Sequence, residues 1–221
     1  MIEERTAKHR FQLPKQGTLQ PNGTDDPLPY YYKPLVGRLY CARIEQALAL
    51  LTPPYKSILE MGFGSGLLLP SLSQMSDSLS GIDLTSNPEA VGASLTRLGV
   101  HCSLIQGDVA DDHFQEDGFD LIVAISIFEH IHDLSPVIDR ISNLLTPDGQ
   151  LLVGMPRVDP IMEKAFRLIG YNNINDHHVT DHKECIRVAK RKFNLIRFSK
   201  IPTWIPEFAG LYFNMLFAKR S

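Results

Sequence analysis

Glu60-Met61-Gly62-Phe63-Gly64-Ser65-Gly66 is the stretch on which the reading of this chain turns. A short apolar run over residues 57–61 leads into it, and residues 67–75 continue with helical spacing, so the loop marks a strand-to-helix turn. Glycine at every second position removes the Cβ atoms that would keep a ligand from backbone N–H groups beside a helix N-terminus. A dinucleotide fingerprint would place glycine at position 67, where Leu67 stands, and an acidic residue precedes the glycines instead. Taken alone, the loop is a weak signal, since a tight turn that binds nothing also accounts for it.

Working outward, the pattern repeats. Residues 79–84 read as a second strand, 88–98 as a helix and 102–106 as a third strand. Residues 120–127 are almost all apolar, as a strand buried on both faces requires. A helix over 135–145, a turn at Pro147-Asp148-Gly149 and a fifth strand over 151–155 follow. Upstream, Leu35, Leu39, Ala42, Ile44, Leu48 and Leu51 recur at helical spacing until Pro53 and Pro54 stop them. Strands alternating with helices predict a doubly wound, mostly parallel α/β sheet. The tail breaks the rhythm with a helix over 182–192 and strands over 193–201 and 211–218. Their nine-residue separation is too short for a crossover helix, so these two strands are expected to pair antiparallel, completing seven.

Composition narrows the function classes. The chain has 221 residues, 43% of them hydrophobic, enough for a sizeable core. Its net charge of -3 hides an asymmetry: residues 183–221 hold nine basic against two acidic side chains, leaving 13 against 23 before them. A nucleic-acid binder is usually basic over its whole module, so no nucleic-acid partner is expected. Three scattered cysteines (Cys41, Cys102, Cys185) without a CxxC pair argue for reduced thiols, a cytoplasmic protein and no cysteine-based metal site. The charged N-terminus lacks the apolar region of a signal peptide. The longest apolar tract, residues 205–218, is too short to span a bilayer and is interrupted by Glu207 and Asn214. Residues 1–34, with five of the 15 prolines, read as an irregular arm ahead of a single domain over 35–221.

Two more acidic strand ends join the glycine loop. Asp83 closes the second strand, where a carboxylate can take both hydroxyls of a ribose. Asp108 closes the third, in Gln106-Gly107-Asp108-Val109. Three ligand-compatible ends on one sheet edge rarely coincide by chance. Here the chain resembles the class I S-adenosylmethionine-dependent methyltransferases, of the small-molecule type, over residues 35–221. Glu60, Gly62, Gly64 and Gly66 match the loop that holds the methionine half of the cofactor, S-adenosyl-L-methionine. Asp83 matches the ribose-binding acid, and Asp108-Val109 the pair that reads adenine. Phe119-Asp120-Leu121-Ile122-Val123 matches the fourth strand, after which Ser126 is expected near the cofactor. The run from Leu144 to Leu151 matches the turn into the fifth. The resemblance implies a Rossmann-like fold whose last strand is antiparallel. It lacks the Asn/Asp-Pro-Pro-Tyr/Phe signature of exocyclic-amine methylation, since Ala124-Ile125-Ser126-Ile127 stands there.

The implied activity is methyl transfer to a small-molecule or lipid-like acceptor. A non-catalytic cofactor-binding scaffold and a nucleotide-dependent oxidoreductase are the rivals. Positioning and exclusion of water can carry much of such a reaction. Where a base helps, Glu129, His130 and His132 follow the fourth strand, and His130 is the first choice because histidine titrates near neutral pH. His178, from the cluster His177, His178, Asp181 and His182, is the second. No metal is expected, and Thr180 or Asp181 is expected to cap the helix that follows. Residues 155–180 are expected to wall the acceptor site, Tyr30, Tyr31 and Tyr32 to close over it, and the apolar, basic tail could touch a membrane surface.

Overall fold

The computed structural model describes residues 11–23, 26–157, 179–204, 206–207 and 210–220. Seven strands form one sheet: β1 (Tyr55–Met61), β2 (Ser76–Asp83), β3 (Ser103–Gln106), β4 (Phe119–Ile125), β5 (Leu145–Pro156), β6 (Phe193–Ile201) and β7 (Tyr212–Lys219). Their order is β3-β2-β1-β4-β5-β7-β6, and β7 runs opposite to the other six strands. The expected doubly wound sheet and its antiparallel tail are both present. Because the order reverses between β1 and β4, the crevice at their C-terminal ends is the topological switch point where such sheets take ligands.

The period of two along each strand divides the core between the two faces. Ile58, Leu121, Val123 and Leu152 pack on the side of α1 (Leu28–Tyr31), α2 (Val36–Leu48), α3 (Leu69–Leu72) and α4 (Pro88–Arg97). Leu59, Ile122, Ala124, Leu151 and Val153 pack against α5 (Leu134–Leu144) and α6 (His182–Ala189). Leu121, Ile122, Val123 and Ala124 are each fully buried, which is why β4 lacks alternation in sequence. Burying each larger one contributes about 1.5–3 kcal/mol, so β4 is the anchor of the sheet.

Side-chain caps set three helix starts. Asn87 accepts from the amides of Glu89 and Ala90 at α4, Asp133 from Ser135 at α5, and Asp181 from Glu184 at α6. The cap of α6 is therefore Asp181, while the Thr180 hydroxyl donates to the Ile131 carbonyl instead.

Three segments differ from the sequence reading. The helix expected over 67–75 shrinks to the single turn of α3: Pro70 has no N–H to continue a helix backward, and the Tyr55 amide donates to Met75 O as the parallel pairing with β2 begins. The turn at Pro147-Asp148-Gly149 falls inside β5, where the register with β4 shifts between Phe119 and Leu121. The Pro-rich arm contributes α1 and buries Phe11, Leu19, Leu28 and Tyr31 in the core.

Candidate functional site

Backbone geometry explains the glycines one by one. Gly62, Gly64 and Gly66 have φ of +79°, +51° and +80°, a region that L side chains rarely adopt. A Cβ on Gly62 would stand 2.0 Å from Ile127 Cδ1, and one on Gly66 would stand 2.8 Å from Val91 Cγ1. Packing thus fills the space beside these two. Gly64 is different: the nearest atom to its Cβ position is Asp26 Oδ2, at 4.0 Å. Its open face is where a ligand can reach the loop.

Asp83 secures that loop. Its Oδ2 accepts from the Gly64 amide at 2.9 Å, and Oδ1 accepts from the amides of Thr85 at 2.9 Å and Ser86 at 2.8 Å. Burial pushes the carboxyl up, but these hydrogen bonds outweigh it and hold Asp83 below the usual carboxylate range. Glu60, 5% exposed, is the opposite case. Burial, aided by the charge of Asp83, pushes its carboxyl well above the ordinary value, and its Oε2 has no hydrogen-bond partner. An orphaned buried carboxyl oxygen beside an open glycine suits a ligand that brings donors of its own.

The Gly107 amide donates to the Asp83 carbonyl at 2.9 Å, which brings the ends of β2 and β3 together. Asp108 is exposed and accepts from the Ala110 amide at 2.9 Å, while Val109 is buried. Arg140 of α5 clamps the following loop, with Nε on Val109 O at 3.3 Å and Nη2 on Asp111 O at 3.1 Å and Phe114 O at 3.3 Å.

At the end of β4, Ser126 turns out of the strand with a φ of +58°, its amide donating to Gly154 O at 2.7 Å. Its hydroxyl meets Tyr212 OH at 2.9 Å and accepts from Arg43 Nη1 at 3.2 Å. A short 3-10 turn, Phe128–His130, follows. Glu129 is 1% exposed, and burial pushes its carboxyl up to about 8. His130 is exposed, as is His132, so neither is buried against the glycine loop. His178, together with His177, lies outside the described residues.

The arm reaches the same edge. Asp26 accepts from the amides of Asn22 at 2.7 Å and Leu28 at 2.8 Å and from the Ser65 hydroxyl at 3.4 Å, and Asn22 Nδ2 donates to Ser86 Oγ at 2.6 Å. Residues 22 and 26 therefore touch both the glycine loop and the turn after Asp83. Asp26, Arg43 and Tyr212 escaped the sequence reading. Only Arg43 left a signal, as a charge on the apolar stripe of a helix three residues after Tyr40 and four before Ala47.

A glycine loop with one open face, an anionic Asp83 and an unpartnered Glu60 fit an amino-acid nucleoside. The model of a methyltransferase domain family matches residues 32–195, and the chain belongs to that family. It is an S-adenosylmethionine-dependent methyltransferase of the class I fold. The ubiquinone biosynthesis O-methyltransferase of Dechloromonas aromatica is 27% identical over 195 residues, spanning 86% of this chain and 82% of that protein. A protein of the same name from Xanthomonas axonopodis pv. citri is 32% identical over 115 residues, 50% of this chain. That match spans 47% of the relative's own length, and the chain likewise covers about half of the Pseudomonas relatives. Among solved structures, the N-methyltransferase NodS of Bradyrhizobium japonicum WM9 with S-adenosylhomocysteine superimposes with a TM-score of 0.64 at 20% identity, over 91% of this chain and 95% of that one. A methyltransferase from Mesorhizobium loti gives 0.62 at 14% identity, over 80% and 98%. These two establish the likeness of fold.

Proposed function

We propose that this enzyme transfers a methyl group to a hydroxyl oxygen of a small or lipid-like acceptor, by in-line displacement. The bond from the Gly64 amide to Asp83 carries the cofactor half of the reading, because it fixes an anionic strand end against the open glycine. The names of the relatives, ubiquinone biosynthesis O-methyltransferases, support oxygen as the receiving atom. When bound, the cofactor supplies a methyl group activated by a sulfonium.

The chain's own residues then have separable tasks. Gly62, Gly64 and Gly66 shape the loop, their own amides bonded to Ile82 O, Asp83 Oδ2 and Phe63 O, with the open face of Gly64 left to the cofactor, and Glu60 offers its spare oxygen to the amino-acid end. Asp83 takes the ribose hydroxyls. Asp108 and the Val109 amide read the adenine, and Ser126 borders the reacting end. His130, exposed in the turn after β4, is the group proposed to assist proton removal, with His178 as the second. Among the described residues no helix is long and apolar enough to cross a membrane. Contact with a membrane surface would use Trp204, which is 83% exposed.

The test pairs binding with turnover. Calorimetry should give saturable binding of S-adenosylhomocysteine and none of NADP. A labelled methyl group should then pass from S-adenosylmethionine to a hydroxylated aromatic or quinol acceptor, with the O-methyl product identified by mass spectrometry. His130→Gln should lower that turnover without changing cofactor affinity. Tight binding with no transfer to any hydroxyl would leave the oxygen assignment without support.

A further inference from the structure

Four separate segments meet around Arg43 at the end of β4. The guanidinium lies 4.3 Å from the ring centroid of Tyr40, 5.5 Å from that of Tyr31 and 5.4 Å from that of Tyr212. Nη1 donates to Ser126 Oγ at 3.2 Å and Nη2 to Tyr31 OH at 2.9 Å. Nε is buried without a partner, so most of the five N–H donors of this group are unspent. The cage sits beside the reacting edge, because Ile127, next to Ser126, is the residue that packs on Gly62.

Among the described residues the charge of Arg43 forms no ion pair, although it acts on the Glu129 carboxyl at longer range, pulling that group's value down against burial. Burial pushes the phenols of Tyr31 and Tyr212 upward, which keeps both neutral. Glu129, with its carboxyl pushed up to about 8, is mostly protonated at neutral pH. Asp26 spends its oxygens on Asn22, Leu28 and Ser65. Aromatic faces and hydroxyls stabilise a guanidinium in part but do not neutralise it. The planar fork of arginine matches the geometry of an oxyanion, and exclusion of water by three rings strengthens such a pairing.

We propose that the Arg43 cage is the oxyanion subsite of the methyl acceptor, holding a carboxylate or phosphate of that molecule and so orienting the atom that receives the methyl group. This rests on the methyl-transfer reading above and names the acceptor as an acidic molecule. Ser126 and Tyr31 hold the fork in place, and the tyrosine faces flank whatever ring or chain bears the anion.

The experiment titrates the protein saturated with S-adenosylhomocysteine with benzoate, phenyl phosphate and benzamide, by calorimetry. At least one anion should bind saturably, with benzamide weaker by about tenfold or more, the scale of one charge-assisted hydrogen-bonding group. The tighter of the two anions tells carboxylate from phosphate. Arg43→Gln should weaken the anion by about 10- to 100-fold with cofactor affinity unchanged, and Arg43→Lys should recover part of it. If Arg43→Gln does not fold, amide NMR shifts of the wild type decide: benzoate should move Ser126 and Tyr212, and benzamide should not. Equal affinity for benzoate and benzamide, or shifts confined to other residues, would overturn the proposal. Failure to bind S-adenosylhomocysteine would count against methyl transfer itself, while the same titrations on the free protein still decide the cage.

Discussion

Asp83 and Gly64 are joined by a 2.9 Å hydrogen bond from the glycine amide to the aspartate Oδ2, across 19 residues of sequence. The bond makes the glycine loop and the end of β2 one unit. A ligand that meets the loop therefore meets an ionised carboxylate whose orientation is already fixed from its other side by Thr85 and Ser86. Preorganisation of this kind lowers the cost of ordering the site on binding.

Replacing Asp83 by Asn tests that unit. An asparagine has one acceptor oxygen where the aspartate uses two, so its NH2 must face backbone N–H groups on one side. Affinity for S-adenosylhomocysteine should fall by about 1–3 kcal/mol in calorimetry, with the far-ultraviolet circular dichroism unchanged. Asp83 has a folded value below its unfolded one. Its stabilising contribution is present above the unfolded carboxylate range and disappears as pH falls through the folded value, so wild type and Asp83→Asn should converge in stability in acid.

Gly62 and Gly64 should separate fold from binding. Both have positive φ, so alanine brings backbone strain of about 1–2 kcal/mol at either. At Gly62 the new methyl also meets Ile127 Cδ1 at 2.0 Å, whereas at Gly64 nothing stands closer than 4.0 Å. Gly62→Ala should show the larger drop in melting temperature. Gly64→Ala should keep more of its stability and still lose cofactor, because the methyl enters the open face. The reverse order of melting temperatures would contradict this placement of the loop.

The contrast between those glycines also shows what the sequence could carry. The loop, the acidic end of β2 and the apolar run of β4 were legible because each is local: a parallel strand writes its burial on consecutive residues. The reduction of residues 67–75 to α3 was not, because the competing pairing of Tyr55 with Ser76 is long-range. Nor was the Arg43 cage, since Tyr31, Arg43, Ser126 and Tyr212 come from four segments that meet only once the sheet is ordered. Gly154 shows the same limit: a Cβ there would stand 2.8 Å from Tyr212 OH, a contact with no trace in sequence.

Arg140 should behave as a positioning residue for the adenine end. Its guanidinium holds the carbonyls of Val109, Asp111 and Phe114, while its ion pair with exposed Asp112, at 3.5 Å, adds little. Arg140→Met should raise amide hydrogen exchange over residues 107–118 and weaken cofactor binding by about 1 kcal/mol or more. Arg140→Lys should not restore protection, because an ammonium lacks the fork that spans three carbonyls. Asp112→Ala should leave both readouts near wild type.

Glu129 makes the sharpest pH prediction. Its carboxyl is buried and pushed up to about 8, well above the unfolded carboxylate value near ~4.3. Between those limits the folded protein holds a proton that the unfolded chain has lost. The contribution of this group to stability is therefore fully present below the unfolded value and is lost progressively as pH rises through about 8. One proton corresponds to a slope of at most about 1.4 kcal/mol per pH unit. Glu129→Gln keeps the shape of the protonated acid and cannot ionise, so it should remove that slope. Urea denaturation at steps across this interval should show the variant gaining on wild type as pH rises, with the difference levelling off above about 8. A wild-type-to-variant difference that stays flat over the whole interval would mean that the carboxyl is ionised when buried, with the charge of Arg43, which favours that form, outweighing burial.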